Sequence, residues 1–116
     1  MQIKALSVRQ PWASLIAEGT KTIELRTWRT SYRGPLLICA SKYKKSRGPK
    51  GVAVAIVDLV DVRLATSDDS VAACCTPLLQ HYAWILSNSQ ITPPIPITGR
   101  LSIFDVKFSL VDLHLA

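Results

Sequence analysis

Gly19-Thr20-Lys21-Thr22-Ile23-Glu24-Leu25-Arg26-Thr27-Trp28 decides how this chain is read. Gly19 suits the left-handed residue that closes a helix, because it has no Cβ to clash there. Beyond it, period-two alternation predicts a strand from about residue 21 to 28. Ile23 and Leu25 share one face, and Thr22, Glu24, Arg26 and Trp28 share the other. Glu24 and Arg26 are then same-face neighbours about 6.6 Å apart along the strand. Lys21 is two-sided: strict alternation sets it with Ile23, whereas the turn before it can aim it toward Glu24. A helix end and three charged side chains converge here, and we read the segment as one wall of a binding cleft.

Upstream, residues 2–8 alternate loosely around Ile3, Ala5 and Val8 and predict a first strand. Pro11 fits the first position of a helix, where its missing N–H is no loss. Trp12, Leu15 and Ile16 fall at i, i+3 and i+4 and give one apolar face. The spacing therefore predicts a short amphipathic helix over residues 10–18, packed on a sheet.

Downstream, residues 29–34 read as a polar, basic turn and residues 35–41 as a buried strand. Residues 42–51 read as a basic loop with one aromatic, Tyr43. Residues 52–62 are the longest apolar run and predict the central strand. Asp58 shares parity with Val52, Val54, Ile56 and Val60. Its carboxylate is then either at the cleft or carries a desolvation cost. Residues 64–80 carry little periodicity beyond one helical turn over 69–75, ended by Pro77. Residues 82–86 predict a strand, 92–97 a donor-poor extended edge, and 101–108 a last strand. Short strands around one clear helix predict an α+β, mostly β fold: a small β-barrel with the helix packed against it. Residues 1–116 form a single domain with neither repeat nor linker.

A chain of 116 residues buries roughly two-thirds of the surface it exposes when unfolded. With 48% apolar residues, a disordered chain is excluded. No apolar run reaches the roughly 18 residues of a membrane helix. The first residues lack the basic-then-apolar pattern of a secretory signal, so a cytoplasmic location is expected. Cys39, Cys74 and Cys75 form no C-x-x-C and read as reduced thiols packed as small apolar groups. His81 and His114 are far from each other and from any cysteine pair, so no metal site is expected. Nothing in the sequence points to a cofactor. Charge is more informative. Net charge is +6, but residues 1–50 hold eleven of the fourteen Lys and Arg against only Glu18 and Glu24, and the remainder is net negative. A basic half on a small domain points to a polyanion, most often nucleic acid.

Leu6-Ser7-Val8-Arg9-Gln10-Pro11-Trp12-Ala13-Ser14-Leu15, followed by G-x-K-x-x-E-x-R at Gly19, Lys21, Glu24 and Arg26, strongly resembles the ASCH domain. The basic turn through Arg33-Gly34, the apolar strand ending in Asp58, Tyr82-Ala83-Trp84 and the Pro-rich segment before Gly99 agree with it. The resemblance covers nearly the whole chain. It implies a PUA-like β-barrel with a cleft between helix and barrel, holding RNA or, in some members, DNA. One branch of the family resembles an amidohydrolase that removes the acetyl group of N4-acetylcytidine with a lysine, a threonine and a glutamate. Lys21 matches the lysine, Glu24 stands at the threonine, and Asp58 best matches the glutamate. Another member of the family is a ribonuclease, and the resemblance implies that activity as a further alternative.

Binding and catalysis both stay open on these residues. As a nucleic-acid-binding module, Arg26 offers a rigid fork beside Glu24, Trp28 a stacking surface, and Lys21 and Arg9 further cations. Arg29, Arg33, Lys42, Lys44, Lys45 and Arg47 contact the phosphate backbone and position it without reading sequence. As an amidohydrolase, Lys21, Glu24 and Asp58 are the reacting groups. Burial of Lys21 within reach of both carboxylates favours catalysis, and exposure in line with the basic loop favours binding. The Pro93-Pro94-Ile95-Pro96 edge is a third candidate, a surface for a protein partner.

Overall fold

A computed structural model describes residues 2–43, 48–78 and 80–107. Strand β1 (Gln2–Val8) leads through a short helix, α1 (Trp12–Ala17), to β2 (Ile23–Arg26). Then come β3 (Gly34–Ala40) and the long β4 (Val52–Leu64). A 3-10 turn at Ser67–Asp69 runs into α2 (Ser70–Ala73), and β5 (Tyr82–Ile91) and β6 (Ile103–Lys107) complete the sheet. The six strands among the described residues lie in the order β2-β5-β4-β3-β1-β6. All neighbours are antiparallel except β1 and β3, which run parallel with Ser7 opposite Cys39.

The architecture is the mostly β fold with one short packed helix that the sequence predicts, with one difference. Among the described residues the ladder does not close: β2 pairs only with β5 and β6 only with β1, which leaves the barrel two free edges there. The β2 edge is only four residues long, and a side chain rather than a strand spans the gap beside it. Helix α1 is also shorter than residues 10–18. Pro11 is its N-cap rather than its first helical residue, and the Gln10–Pro11 peptide is cis. The edge segment around 92–97 borders the start of β4 through the Ala53 N–H to Ile95 carbonyl bond and a Val52–Pro96 bridge.

The main core lies between α1 and one face of the sheet. Leu6, Val8, Leu36, Ile38, Val57 and Leu59 pack there with Ala13, Ile16, Trp84 and Leu86. Because β-strand side chains alternate, the neighbours of these residues form a second, smaller core on the other face, with Ala5, Leu37, Cys39 and Ala53 against Phe104 and Val106. Burial among these apolar groups pushes the Cys39 thiol up to about 12. All three cysteines are free.

The end of α1 is built as Gly19 demands. Gly19 has φ +82°, its N–H donates to the Ile16 carbonyl, and the Thr20 N–H reaches back to Leu15. This paired closure satisfies carbonyls that the helix end would otherwise leave without donors. The Lys21 N–H also donates to Leu15, so the chain enters β2 from a fixed direction.

Candidate functional site

That direction settles the side of Lys21. The strand begins at Ile23, so alternation does not govern residue 21. The side chain is buried, and its ammonium donates to the Ala73 carbonyl at the end of α2. It lies 3.6 Å from Glu24 Oε1 and 5.1 Å from the centre of the Trp12 ring. Lys21 is thus a buried cation held by a carbonyl, a carboxylate and an aromatic face, and not a solvated lysine open to phosphate.

Glu24 and Arg26 are same-face neighbours as predicted. Glu24 pairs across the ladder with Trp84, whose ring lies in the main core, so this face of β2 points toward α1. Arg26 Nε and Nη2 both donate to Glu24 Oε2, at 3.1 and 2.8 Å, and Nη2 also donates to the Ser7 carbonyl at 2.8 Å. Arg26 therefore bridges the β2 edge to the end of β1, across the gap where the barrel stays open. Trp28 packs edge-on against Trp84, with centroids 4.7 Å apart, and its carbonyl accepts the Trp84 indole N–H.

These groups line a cleft of about 680 Å³. Arg9 and Trp12 stand on its α1 side, and Lys21, Glu24, Arg26 and Trp28 form its wall and floor. At the mouth, the exposed Arg9 guanidinium stacks over the Tyr43 ring at 4.1 Å. The opposite wall, Cys75, Thr76, Leu78 and His81, comes from the aperiodic segment after α2. His81 Nδ1 accepts the Leu78 N–H at 3.1 Å and fixes that wall locally. Sequence reasoning missed this wall, and no pattern in residues 74–81 marks it. Ser7 and Ser41 also line the cleft, brought together by the parallel pairing of β1 and β3.

Asp58 does not join the cleft, which corrects the three-residue grouping of Lys21, Glu24 and Asp58. Val57 and Leu59 take the core face that carries the cleft, so parity turns Asp58 to the other face. There it lies opposite Pro35 and Ser87, with the Asn88 amide 3.3 Å away. Arg29 and Arg33 are also elsewhere, lining a separate cavity with Thr30, Ser31 and Val62. Arg33 donates to the Thr30 and Tyr32 carbonyls and lies 3.7 Å from Asp61. Lys42 lines a second cavity beside the cleft. Lys44, Lys45 and Arg47 lie outside the described residues. Among the described residues, no cluster of three or more His, Cys, Asp or Glu is arranged to hold a metal ion, and no helix is long and apolar enough to cross a membrane.

A partly open, PUA-like sheet with a charged, tryptophan-lined cleft beside one short helix defines the class. The family model of the ASCH domain matches residues 6–90, and the chain belongs to that family, which is associated with RNA binding. Over 41 residues it is 54% identical to activating signal cointegrator 1 of Homo sapiens, a match covering 35% of this chain and 7% of that protein. The Mus musculus protein of the same name is 35% identical over 79 residues, covering 48% of this chain and 14% of its own length. The chain thus spans a small part of both relatives. Among solved structures, the ASCH protein from Zymomonas mobilis superposes with a TM-score of 0.72 at 15% identity, covering 90% of this chain and 87% of that one. A tyrosine-to-phenylalanine mutant of it superposes at 0.67, also at 15% identity, covering 90% and 89%. At that identity the likeness shows the fold alone.

Proposed function

We propose that this domain binds RNA or single-stranded nucleic acid, with the cleft beside Gly19–Trp28 as the seat of an unstacked nucleotide. The observation that carries this reading is the cleft itself. Its volume of about 680 Å³ is that of a small-ligand site. It combines two indoles, Trp12 and Trp28, with two arginines, Arg9 and Arg26. Arg26 Nη1 has no partner among the described residues and is available to a phosphate or a base edge. Aromatic faces with cations at the rim are what single-stranded bases and their phosphates require. The excess of cations in residues 1–50 supports the same partner.

Titration of a short single-stranded RNA by fluorescence anisotropy at several salt concentrations tests this. Neutralising about four phosphates gives a log–log slope near −3. A flat salt response, or no binding at low salt, removes the polyanion reading. The amidohydrolase reading keeps the buried Lys21–Glu24 pair but lacks Asp58. Release of acetate from N4-acetylcytidine would restore it, and shortening of the RNA during the titration would bring forward the ribonuclease reading.

A further inference from the structure

The cleft does not end at Ser7 and Ser41. Both residues, with Leu101, also line a second cavity of about 380 Å³ that adjoins it. The parallel pairing of β1 and β3 brings the ends of both strands to one edge of the sheet, so Ser7 and Ser41 emerge side by side. Ser7, Cys39 and Ser41 have the same parity, and all three line this cavity.

Three features of the cavity point to one ligand chemistry. The Ser7 and Ser41 hydroxyl oxygens are buried and have no hydrogen-bond partner among the described residues. Such groups are uncommon in folded proteins, and each carries a desolvation cost with nothing among the described residues to offset it. Lys42 and Arg100 line the same cavity, and neither has an ion-pair partner among the described residues. Among the described residues, no carboxylate lines it. Two orphaned hydroxyl donors and two uncommitted cations, with no competing anion, suit a tetrahedral oxyanion. Gly99 keeps the space open, since a Cβ there would stand 2.8 Å from Ser7 Oγ.

We propose that this second cavity is a phosphodiester subsite, holding the phosphate that adjoins the nucleotide seated in the main cleft. The Ser7 and Ser41 hydroxyls donate to its oxygens, and Arg100 and Lys42 neutralise its charge. The assignment rests on the nucleic-acid reading of the cleft. It extends that reading from one nucleotide to a step along a chain, with Ser7 as the shared boundary. The Ser7 carbonyl already holds Arg26 in the first cavity, and the Ser7 side chain serves the second.

The test uses the whole chain, labelled with nitrogen-15, and two probes: inorganic phosphate and tetrauridylate. Both are expected to shift the amide signals of Ser41, Gly51 and Gly99, and tetrauridylate is expected to shift the Trp12 and Trp28 indole signals as well. Arg100→Ala should weaken tetrauridylate binding about tenfold, the size of one charge-assisted hydrogen bond. Ser7→Ala separates a binding role from a structural one. Its hydroxyl bonds nothing among the described residues, so Tm should hold or rise by up to about 5 °C while tetrauridylate affinity falls severalfold. A drop in Tm without a drop in affinity overturns the proposal. So do shifted indoles with unmoved Ser41 and Gly99 amides and wild-type affinity in Arg100→Ala, although these leave the cleft reading standing. Shifts from phosphate alone support the subsite and count against the cleft reading. No response to either probe overturns both.

Discussion

Two arginine–carboxylate pairs in this molecule have nearly equal carboxylate burial and opposite designs. Glu24 and Asp69 side chains are 8% and 7% exposed. In the Arg63–Asp69 pair each guanidinium nitrogen takes its own oxygen: Nη1 to Oδ2 at 2.8 Å and Nη2 to Oδ1 at 2.7 Å. Oδ2 also accepts the Thr66 N–H, and the Thr66 side chain completes a capping box at the start of the 3-10 turn. In the Arg26–Glu24 pair two nitrogens converge on one oxygen. The other oxygen faces a buried lysine, and Arg26 Nη1 points to no protein group among the described residues. The first pair commits its hydrogen-bonding capacity to the turn that leads into α2. The second keeps a donor free at a cavity wall. A fully committed ion pair is a staple; an under-committed one lining a cleft is, on the reading proposed above, a site.

Removing each carboxylate gives the largest contrast. Glu24→Ala strips the counter-charge from Lys21, which cannot reach solvent, and from Arg26, so a loss of about 3–5 kcal/mol is expected. Asp69→Ala should lose only about 1–2 kcal/mol, because Arg63 is nearly half exposed and relaxes into water. Urea denaturation of the two variants measures both. Equal losses would break the distinction between staple and site.

Arg26→Ala is expected to lose roughly 1–3 kcal/mol, less than Glu24→Ala because Lys21 remains beside the stranded carboxylate. The compensating variant, Glu24→Gln with Arg26→Ala, should recover part of that stability while RNA affinity stays low. Recovery of affinity along with stability would show that Arg26 only braces the fold.

Acid sharpens the other side of the comparison. Arg63, then the Thr66 N–H, hold the Asp69 carboxyl down to about 2 from its ordinary 3.8. Its folded pKa is depressed, so this contribution is fully present above about pH 4 and is lost as pH falls through about 2. Solvent around Arg63 screens it to about 1–2 kcal/mol. In Asp69→Asn the stability difference from wild type should therefore shrink between pH 4 and pH 2. A difference independent of pH in that window would mean that the turn, and not the charge, accounts for the loss.

The parts of this design that lie in local chain geometry are readable from the sequence. Gly19 as the helix stop, β2 alternation and the Glu24–Arg26 adjacency each depend on a few neighbouring residues and appear as expected. Lys21 is ambiguous in sequence because it sits between a turn and a strand, where neither period applies. Asp58 falls on the face away from the cleft because parity sorts residues onto two faces without saying which one α1 and the cleft occupy. The wall of Cys75, Thr76, Leu78 and His81, and the meeting of Ser7 with Ser41, depend on contacts far apart in sequence. The open ladder is illegible for the same reason: closure depends on where β2 and β6 fall, not on whether they are strands.

The smallest expected effect is also the most specific. Lysine keeps the charge of arginine but offers one compact ammonium in place of a planar fork. At residue 63 the fork serves two carboxylate oxygens at 2.8 and 2.7 Å, and the ammonium of an Arg63→Lys variant could reach one of them at best. Because the site is near half exposed, water replaces the lost bond, and a loss of about 0.5 kcal/mol is expected. At residue 26 the fork joins Glu24 to the Ser7 carbonyl, and an ammonium cannot span both while leaving a donor for a ligand. Arg26→Lys should thus lose about 1 kcal/mol of stability, since its pair is more deeply set, but most of its RNA affinity. Thermal melts with RNA titrations on the two lysine variants measure both quantities. If Arg63→Lys weakens RNA binding as much as Arg26→Lys does, the staple belongs to the binding surface, and the division drawn between the two pairs fails.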